Sequence, residues 1–525
     1  MGSTGGDRIV RERMSAVDTA WLRMDRPSNL MMIVGIDVFE RPVDAKRLRA
    51  VVESRLLAFE RFRQRVEFDT AGGAWWVDDD RFDLDRHLVS HALGGAGDDA
   101  ALQRFVAELA STPLDPERPL WQFHLVRGYR GTDALVARIH HCIADGIALV
   151  RVLLSLTDPD GARARSPRAA AAAPGHEHED ARLVSNPWRP FLDPITHGAV
   201  RAIEVTGAAV VESVKLAHDP DRLLGAAQSA PRIAADAARI ALMTADTPTS
   251  LKGRTGVAKA VAWNEPLPLA DVKLVCRALG ASVNDVLLSC VAGALRGYLR
   301  GRGEATEGCE IRALVPVNLR PADAPLQLGN QFGLVPLELP VGFANPIARL
   351  LEVRRRMDAL KDGYQGLLSY GLLAALGSAP RAVQTPILDY LAHKATAVMT
   401  NVPGPREPLR LAGRRLSRMM CWVPQSSDIG LGVSILSYAG AVQFGVIADR
   451  RLCPDPRALI DAFAPEFERL LLLAAMLPAE LLGLGLDPDR LERALFGAPS
   501  SGPHGVFGAS VAAHGPKRPR TASSV

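Results

Sequence analysis

Between Gly161 and Asp180 the chain loses every periodic apolar face, in a stretch rich in Ala, Arg, Pro and His. The break divides the 525 residues into two long alternating regions of similar size, which favours two large units over one continuous core. The reading places a first unit at 1–160, a flexible linker at 161–182, and a helical bridge at 183–256 that is Ala-rich from Ala199 to Met243. A second unit follows at 257–495. The end, 496–525, is rich in Gly, Ala, Ser and Pro, carries Lys517, Arg518 and Arg520, and reads as a disordered basic tail. His176-Glu177-His178 in the linker reads as a solvated loop, because two imidazoles without a scaffold make a weak metal site.

Within the units, strand and helix patterns alternate, so the fold class is α/β. Met31 to Phe39 is an apolar, β-branched run that suits a buried strand. Asp44 to Phe59 has helical spacing with Asp44 as N-cap. Trp121 to Val126 and Ala134 to His140 read as a hairpin that turns over Arg127 to Gly131, and Gly146 to Leu156 reads as a helix. In the second half, Ala270 to Leu279 and Val283 to Leu299 read as helices. Ile311 to Val317 and Gly333 to Leu339 read as strands, and Val433 to Ile447 as a hairpin turning at Tyr438-Ala439-Gly440.

Composition removes several function classes. A net charge of +4, with no basic stretch interleaved with aromatics, argues against nucleic-acid binding. The six cysteines are scattered without C-x-x-C or zinc spacing, which fits buried free thiols in a reducing compartment. Met1 to Val10 lacks a signal-peptide core, and Gly6 stands where a myristoylation signal needs Ser or Thr. The longest apolar run, Leu470 to Leu477, stops at Pro478, short of the about 20 residues that a membrane-crossing helix needs. The expectation is a cytoplasmic protein, soluble or peripheral on a membrane or lipid droplet.

Chemistry concentrates in His140-His141-Cys142-Ile143-Ala144-Asp145-Gly146, between the second hairpin strand and the next helix. Adjacent side chains on a strand point to opposite faces, so only one of the two histidines can face a given cavity. A neutral imidazole there can take a proton from a hydroxyl at cellular pH. Asp145 can cap the following helix or pair with an arginine and lock the turn. Gly146 is expected to supply a conformation or a close approach that other residues resist. Cys142 neighbours His141, but alternation sends the two side chains apart, which weakens a covalent Cys-His reading. There is no G-x-S-x-G elbow, no phosphate-cradling motif and no third metal ligand at a recognisable spacing.

The H-H-x-x-x-D-G run resembles the signature of acyltransferases with the chloramphenicol acetyltransferase-like fold. Further segments narrow the match to the bacterial bifunctional wax ester synthase/diacylglycerol O-acyltransferases: Met14 to Leu22, Pro119-Leu120-Trp121, Val283-Asn284-Asp285-Val286, Thr400-Asn401-Val402-Pro403-Gly404-Pro405 and Leu436 to Gly440. The resemblance spans about Met14 to Leu470. It implies two chloramphenicol acetyltransferase-like domains with the active-site channel between them. It also implies acyl-CoA as co-substrate, a fatty alcohol or diacylglycerol as acceptor, and no metal or other cofactor. By carry-over, His141 is the general base, with His140, Asp145 and Gly146 supporting the motif. Asn284 and Asp285 would lie near the site from the second half, touching substrate or holding the interface, unless Asn284 is only a helix N-cap. An amide-forming condensation enzyme and a non-catalytic lipid-binding relative are the rival classes. The Gly366 to Leu376 run is apolar enough for a channel wall, a membrane-contacting helix, or core.

Overall fold

The computed structural model describes residues 11–70, 72–160, 235–240, 242–320, 328–361 and 363–477. His176 to His178, most of the Ala199 to Met243 bridge and the basic tail lie outside the described residues. Among the described residues two seven-stranded sheets carry the fold, beside a small three-stranded one.

The first large sheet is built around Met32–Phe39, which pairs antiparallel with Thr132–His140 on one side. Alternation sorts its side chains as the sequence requires. Ile33, Phe39, Leu135, Ala137 and Ile139 pack under the Gly146–Ser155 helix with Ala148, Leu149 and Val152. Val34, Ile36, Val38 and Val136 face the Asp99–Ser111 helix and also meet Val261, Trp263 and Ile447 of the second sheet. Burying such residues gains about 1.5–3 kcal/mol each, so register in this sheet is strongly specified.

On its other side, Met32–Phe39 pairs with Arg414–Trp422, a strand from the far half of the chain. Leu409–Leu411 then joins Arg414–Trp422 to Thr157–Pro159. The linear division into a first and a second unit does not anticipate this crossover. The second sheet holds Lys259–Trp263, Leu267–Pro268, Ile311–Asn318, Phe332–Leu339, Ala397–Pro403, Leu431–Tyr438 and Ala441–Asp449. One core unites it with the helices Leu269–Leu279, Val283–Gly301, Pro346–Lys361 and Pro456–Met476.

Local expectations are refined in three places. The hairpin strand Trp121–Tyr129 runs through the expected turn, which shortens to Arg130-Gly131; a register shift between Arg127 and Tyr129, with Gly128 at φ 84°, absorbs the extra residue. The helix that Asp44 caps ends at Val51 and continues as a π-helical turn, Val52–Leu56, which keeps Leu48, Val52 and Leu56 buried. The Gln365–Ser378 helix packs on the Ala16–Arg23 helix and the Phe332–Leu339 strand with Tyr370, Leu373, Ala374 and Leu376 buried. Those side chains are core, while Leu367, Leu368 and Leu372 are half-buried. Among the described residues no single helix is long and apolar enough to cross a membrane.

Candidate active site

The motif strand ends at His140, and the chain then turns through Cys142 to Ala144 into the helix that Asp145 caps. Both imidazoles are buried, at 3% exposure each. The His140 Nδ1 accepts the Cys142 N–H at 3.1 Å, and its Nε2 lies 3.8 Å from Asp25 Oδ1. That Asp25 oxygen also accepts the Met31 N–H at 2.6 Å. His140 is therefore tied into the turn.

His141 is held differently. Its N–H donates to the Met31 carbonyl at 2.7 Å, and its own carbonyl accepts from Asn330 Nδ2 at 2.8 Å. The ring stacks on Trp21 with centroids 4.4 Å apart, and Phe332 stands 5.4 Å away at a tilt. The Nδ1 is buried with no hydrogen-bond partner. Burial pushes the imidazole pKa down to about 4, opposed by the Asp145 carboxylate and by the residue's own backbone carbonyl. At neutral pH the ring is an uncharged base between aromatic faces.

Asp145 does both things open to it, capping the helix and pairing with an arginine. Its Oδ1 accepts the Ala148 N–H at 2.9 Å as the helix N-cap. Its Oδ2 accepts the Gln331 N–H at 2.9 Å and pairs with Arg320, itself buried. Arg320 Nη2 donates to the Gly329 carbonyl at 2.5 Å. The Gly329 N–H bonds the Ile143 carbonyl at 3.1 Å, so a strap from the second half runs beside the motif turn. Asn330 extends the strap to Asp18, whose Oδ1 accepts its Nδ2 at 2.7 Å and its N–H at 3.1 Å. Burial raises the Asp18 carboxyl to about 6 despite those bonds.

The remaining expected residues divide. Gly146 has no positive φ, and a Cβ there would meet Val423 Cγ1 at 4.0 Å, an ordinary contact. The expected conformational need for glycine is not present, because the turn is already shaped by Asp145. Cys142 is buried and its thiol is pushed well up by desolvation, so it is no thiolate. Asn284 is not the helix cap: Ser282 caps, in a capping box with Asp285, and Asn284 Oδ1 accepts from Asn401 Nδ2 at 2.5 Å. The described hydrogen bonds of this pair run within the second half and not to the His segment. Among the described residues no three His, Cys, Asp or Glu gather as metal ligands.

Trp21, Arg320, Asn330 and Gln331 touch the motif, and the local motif does not reveal them. Only Trp21 lay in a segment singled out by resemblance. Gly329-Asn330-Gln331, polar residues abutting the apolar strand Phe332–Leu339, is the one local signal from which the strap could have been found.

With this geometry in view, the comparisons decide the family. A model described as the wax ester synthase/diacylglycerol acyltransferase catalytic domain matches residues 14–287, and a WS/DGAT C-terminal domain matches 328–471. The chain belongs to the wax ester synthase/diacylglycerol acyltransferase family. A probable diacylglycerol O-acyltransferase of Mycobacterium tuberculosis is 30% identical over 472 residues, 88% of this chain and 96% of that protein. A putative diacylglycerol O-acyltransferase of the same species is 27% identical, covering 88% and 90%. The wax ester synthase/diacylglycerol acyltransferase of Marinobacter aquaeolei VT8 aligns with TM-score 0.62 at 22% identity, covering 88% of this chain and 100% of that one. The first condensation domain of the calcium-dependent antibiotic synthetase aligns with TM-score 0.53 at 17% identity, covering 89% and 96%. These two likenesses establish the chloramphenicol acetyltransferase-like fold in both sheet-rich domains.

Proposed function

We propose that this family member moves a long-chain acyl group from acyl-CoA to the hydroxyl of a diacylglycerol or fatty alcohol, making triacylglycerol or wax ester, with His141 as general base. The carrying observation is the neutral, buried His141 ring, held by backbone bonds to Met31 in one half and Asn330 in the other. The acceptor hydroxyl gives its proton to the imidazole as its oxygen attacks the thioester carbonyl. The tetrahedral oxyanion collapses, the C–S bond breaks, and the CoA thiolate leaves with the proton returned from His141. General-base catalysis supplies about 10²–10⁴-fold, so positioning and oxyanion stabilisation supply the rest. Asp145 positions: it caps the helix behind the turn and draws Arg320 and the strap onto it. The chemistry calls for no resident cofactor. The relatives' names favour diacylglycerol as acceptor. A cytoplasmic location with peripheral contact at a membrane or droplet fits that acceptor.

CoA release from palmitoyl-CoA tests the reading, with diacylglycerols, fatty alcohols, short alcohols and amines as acceptors. Ester formation by the wild type and its loss in a folded His141→Ala variant are expected, with His140→Ala milder. Near wild-type turnover in His141→Ala would sink the mechanism. A preference for amines would move the chain to the condensation class.

A further inference from the structure

The Arg381–Ala392 helix is a surface element that buries little: Gln384 and Ala392 face inward. Its outer face carries Val383, Ile387 and Tyr390 at 48%, 37% and 56% exposure, spaced i, i+4, i+7 on one stripe. Leu242, 80% exposed, joins the stripe's C-terminal end, because the Lys394 ammonium donates to the Met243 carbonyl and lies 4.2 Å over the Tyr390 ring. These are four of nine large apolar side chains exposed among the described residues, so the exposure is clustered and not scattered.

Four cations, Arg381, Arg23, Arg26 and Lys394, stand around the stripe against two carboxylates, Asp389 and Asp428. Arg381 opens the helix exposed, and Arg23 and Arg26 lie beneath its inner face. The helix's only carboxylate, Asp389, is held by Arg26 at 2.8 Å and by the Ser427 hydroxyl at 2.8 Å. Asp428, nearby, pairs with His393 at 3.4 Å. An apolar stripe with a tyrosine and cations at its ends matches the depth profile of a phospholipid interface. Its size argues in the same direction. A helix of 12 residues spans ~18 Å and offers roughly 200 Å² along one face, far below the ~800 Å² per partner of a stable protein interface.

The helix is also wired to the site. Gln384 Nε2 donates to the Ala20 carbonyl at 3.1 Å, and Arg23 Nη1 donates to the Ala379 carbonyl at 2.9 Å. Ala20 and Arg23 belong to the helix whose Trp21 covers His141. We propose that the Arg381–Ala392 helix docks the protein on an anionic phospholipid surface, placing the Trp21-covered base beside the phase that holds the lipid acceptor. This rests on the acyltransferase reading above.

Co-sedimentation with vesicles of phosphatidylcholine and phosphatidylglycerol that contain diacylglycerol tests it, alongside CoA release. Val383→Glu with Ile387→Glu is expected to weaken vesicle binding by about tenfold or more and to lower turnover of vesicle-borne diacylglycerol in step. Turnover of a short alcohol in solution should stay at the wild-type level. Arg381→Glu is expected to weaken binding several-fold, and only when phosphatidylglycerol is present. Should the paired variant misfold, Ile387→Ser with Tyr390→Ser, both exposed, gives the same readout. Unchanged vesicle binding in folded variants overturns the proposal. So does a change in oligomeric state with vesicle binding retained, which would make the stripe a contact between copies. Absence of CoA release by the wild type with every acceptor is a separate result, and it rejects the acyltransferase reading instead.

Discussion

His141 illustrates how burial alone prepares a base. With its pKa near 4, the ring stays neutral across the physiological range, so kcat/KM is expected to fall on a single acid limb near pH 4 and not near the ordinary 6.5. A pH–rate profile with a short soluble alcohol checks this. Trp21→Ala removes the indole that excludes water, so that limb should move upward toward 6.5. The stability sign follows as well. The folded pKa lies below the unfolded one, so the contribution of His141 is whole above pH 6.5 and is lost as pH falls through 4. Asp37 has the opposite sign. Burial raises its carboxyl to about 7, so its contribution is whole below about 4 and is lost as pH rises through 7. Asp37→Asn should therefore gain on the wild type as pH rises from 5 to 8, by on the order of 1–3 kcal/mol, in thermal melts. The two histidines and Asp145 were legible as a unit because their spacing is local. Trp21 and Asn330 were not, since a stacking partner 120 residues upstream and a strap 189 residues downstream leave no periodic trace.

At the level of elements, two contacts decide whether the site assembles. Arg320 and Asp145 form a buried pair between the halves. Arg320→Ala strands a buried carboxylate and should cost about 3–5 kcal/mol, seen as a lowered melting temperature with lost turnover. Asp145→Asn retains a capping side chain and should be milder in the melt. The second contact is between the Ala16–Arg23 and Gln365–Ser378 helices. A Cβ on Gly377 would lie 1.7 Å from the Ala16 carbonyl oxygen, so Gly377→Ala must push the helix that carries Trp21 away. We expect a loss of about 1–3 kcal/mol and an upward shift of the acid limb, as in Trp21→Ala. Most elements were readable from period and caps, as with Val283–Gly301 and the Leu431–Tyr438 hairpin strand. The cap alternative at Asn284 shows the limit. Ser282 and Asp285 form the box, and the serine stands two residues ahead of Asn284.

The whole molecule is interlaced. The first sheet is incomplete without Leu409–Leu411 and Arg414–Trp422, and the motif turn is incomplete without Gly329 to Gln331. A fragment ending at residue 160 is therefore expected to be insoluble, and co-expression with the remainder should restore soluble, active protein; soluble yield of the separate and paired fragments is the measurement. The crossover was illegible because Arg414–Trp422, RRLSRMMCW, carries too many arginines to read as an inner strand, and pairing over such a separation has no local signal. It also sets an order of events on the ribosome. At about 5–20 residues per second, tens of seconds separate the emergence of Met32–Phe39 from that of its second neighbour. For that interval a run of Met, Ile, Val and Phe offers an open edge to any other nascent chain. Within it stands one charge, Asp37, ionised while the edge is wet and pushed up to about 7 once burial takes it from water. The residue that weakens the finished sheet at high pH is the one that guards the unfinished one.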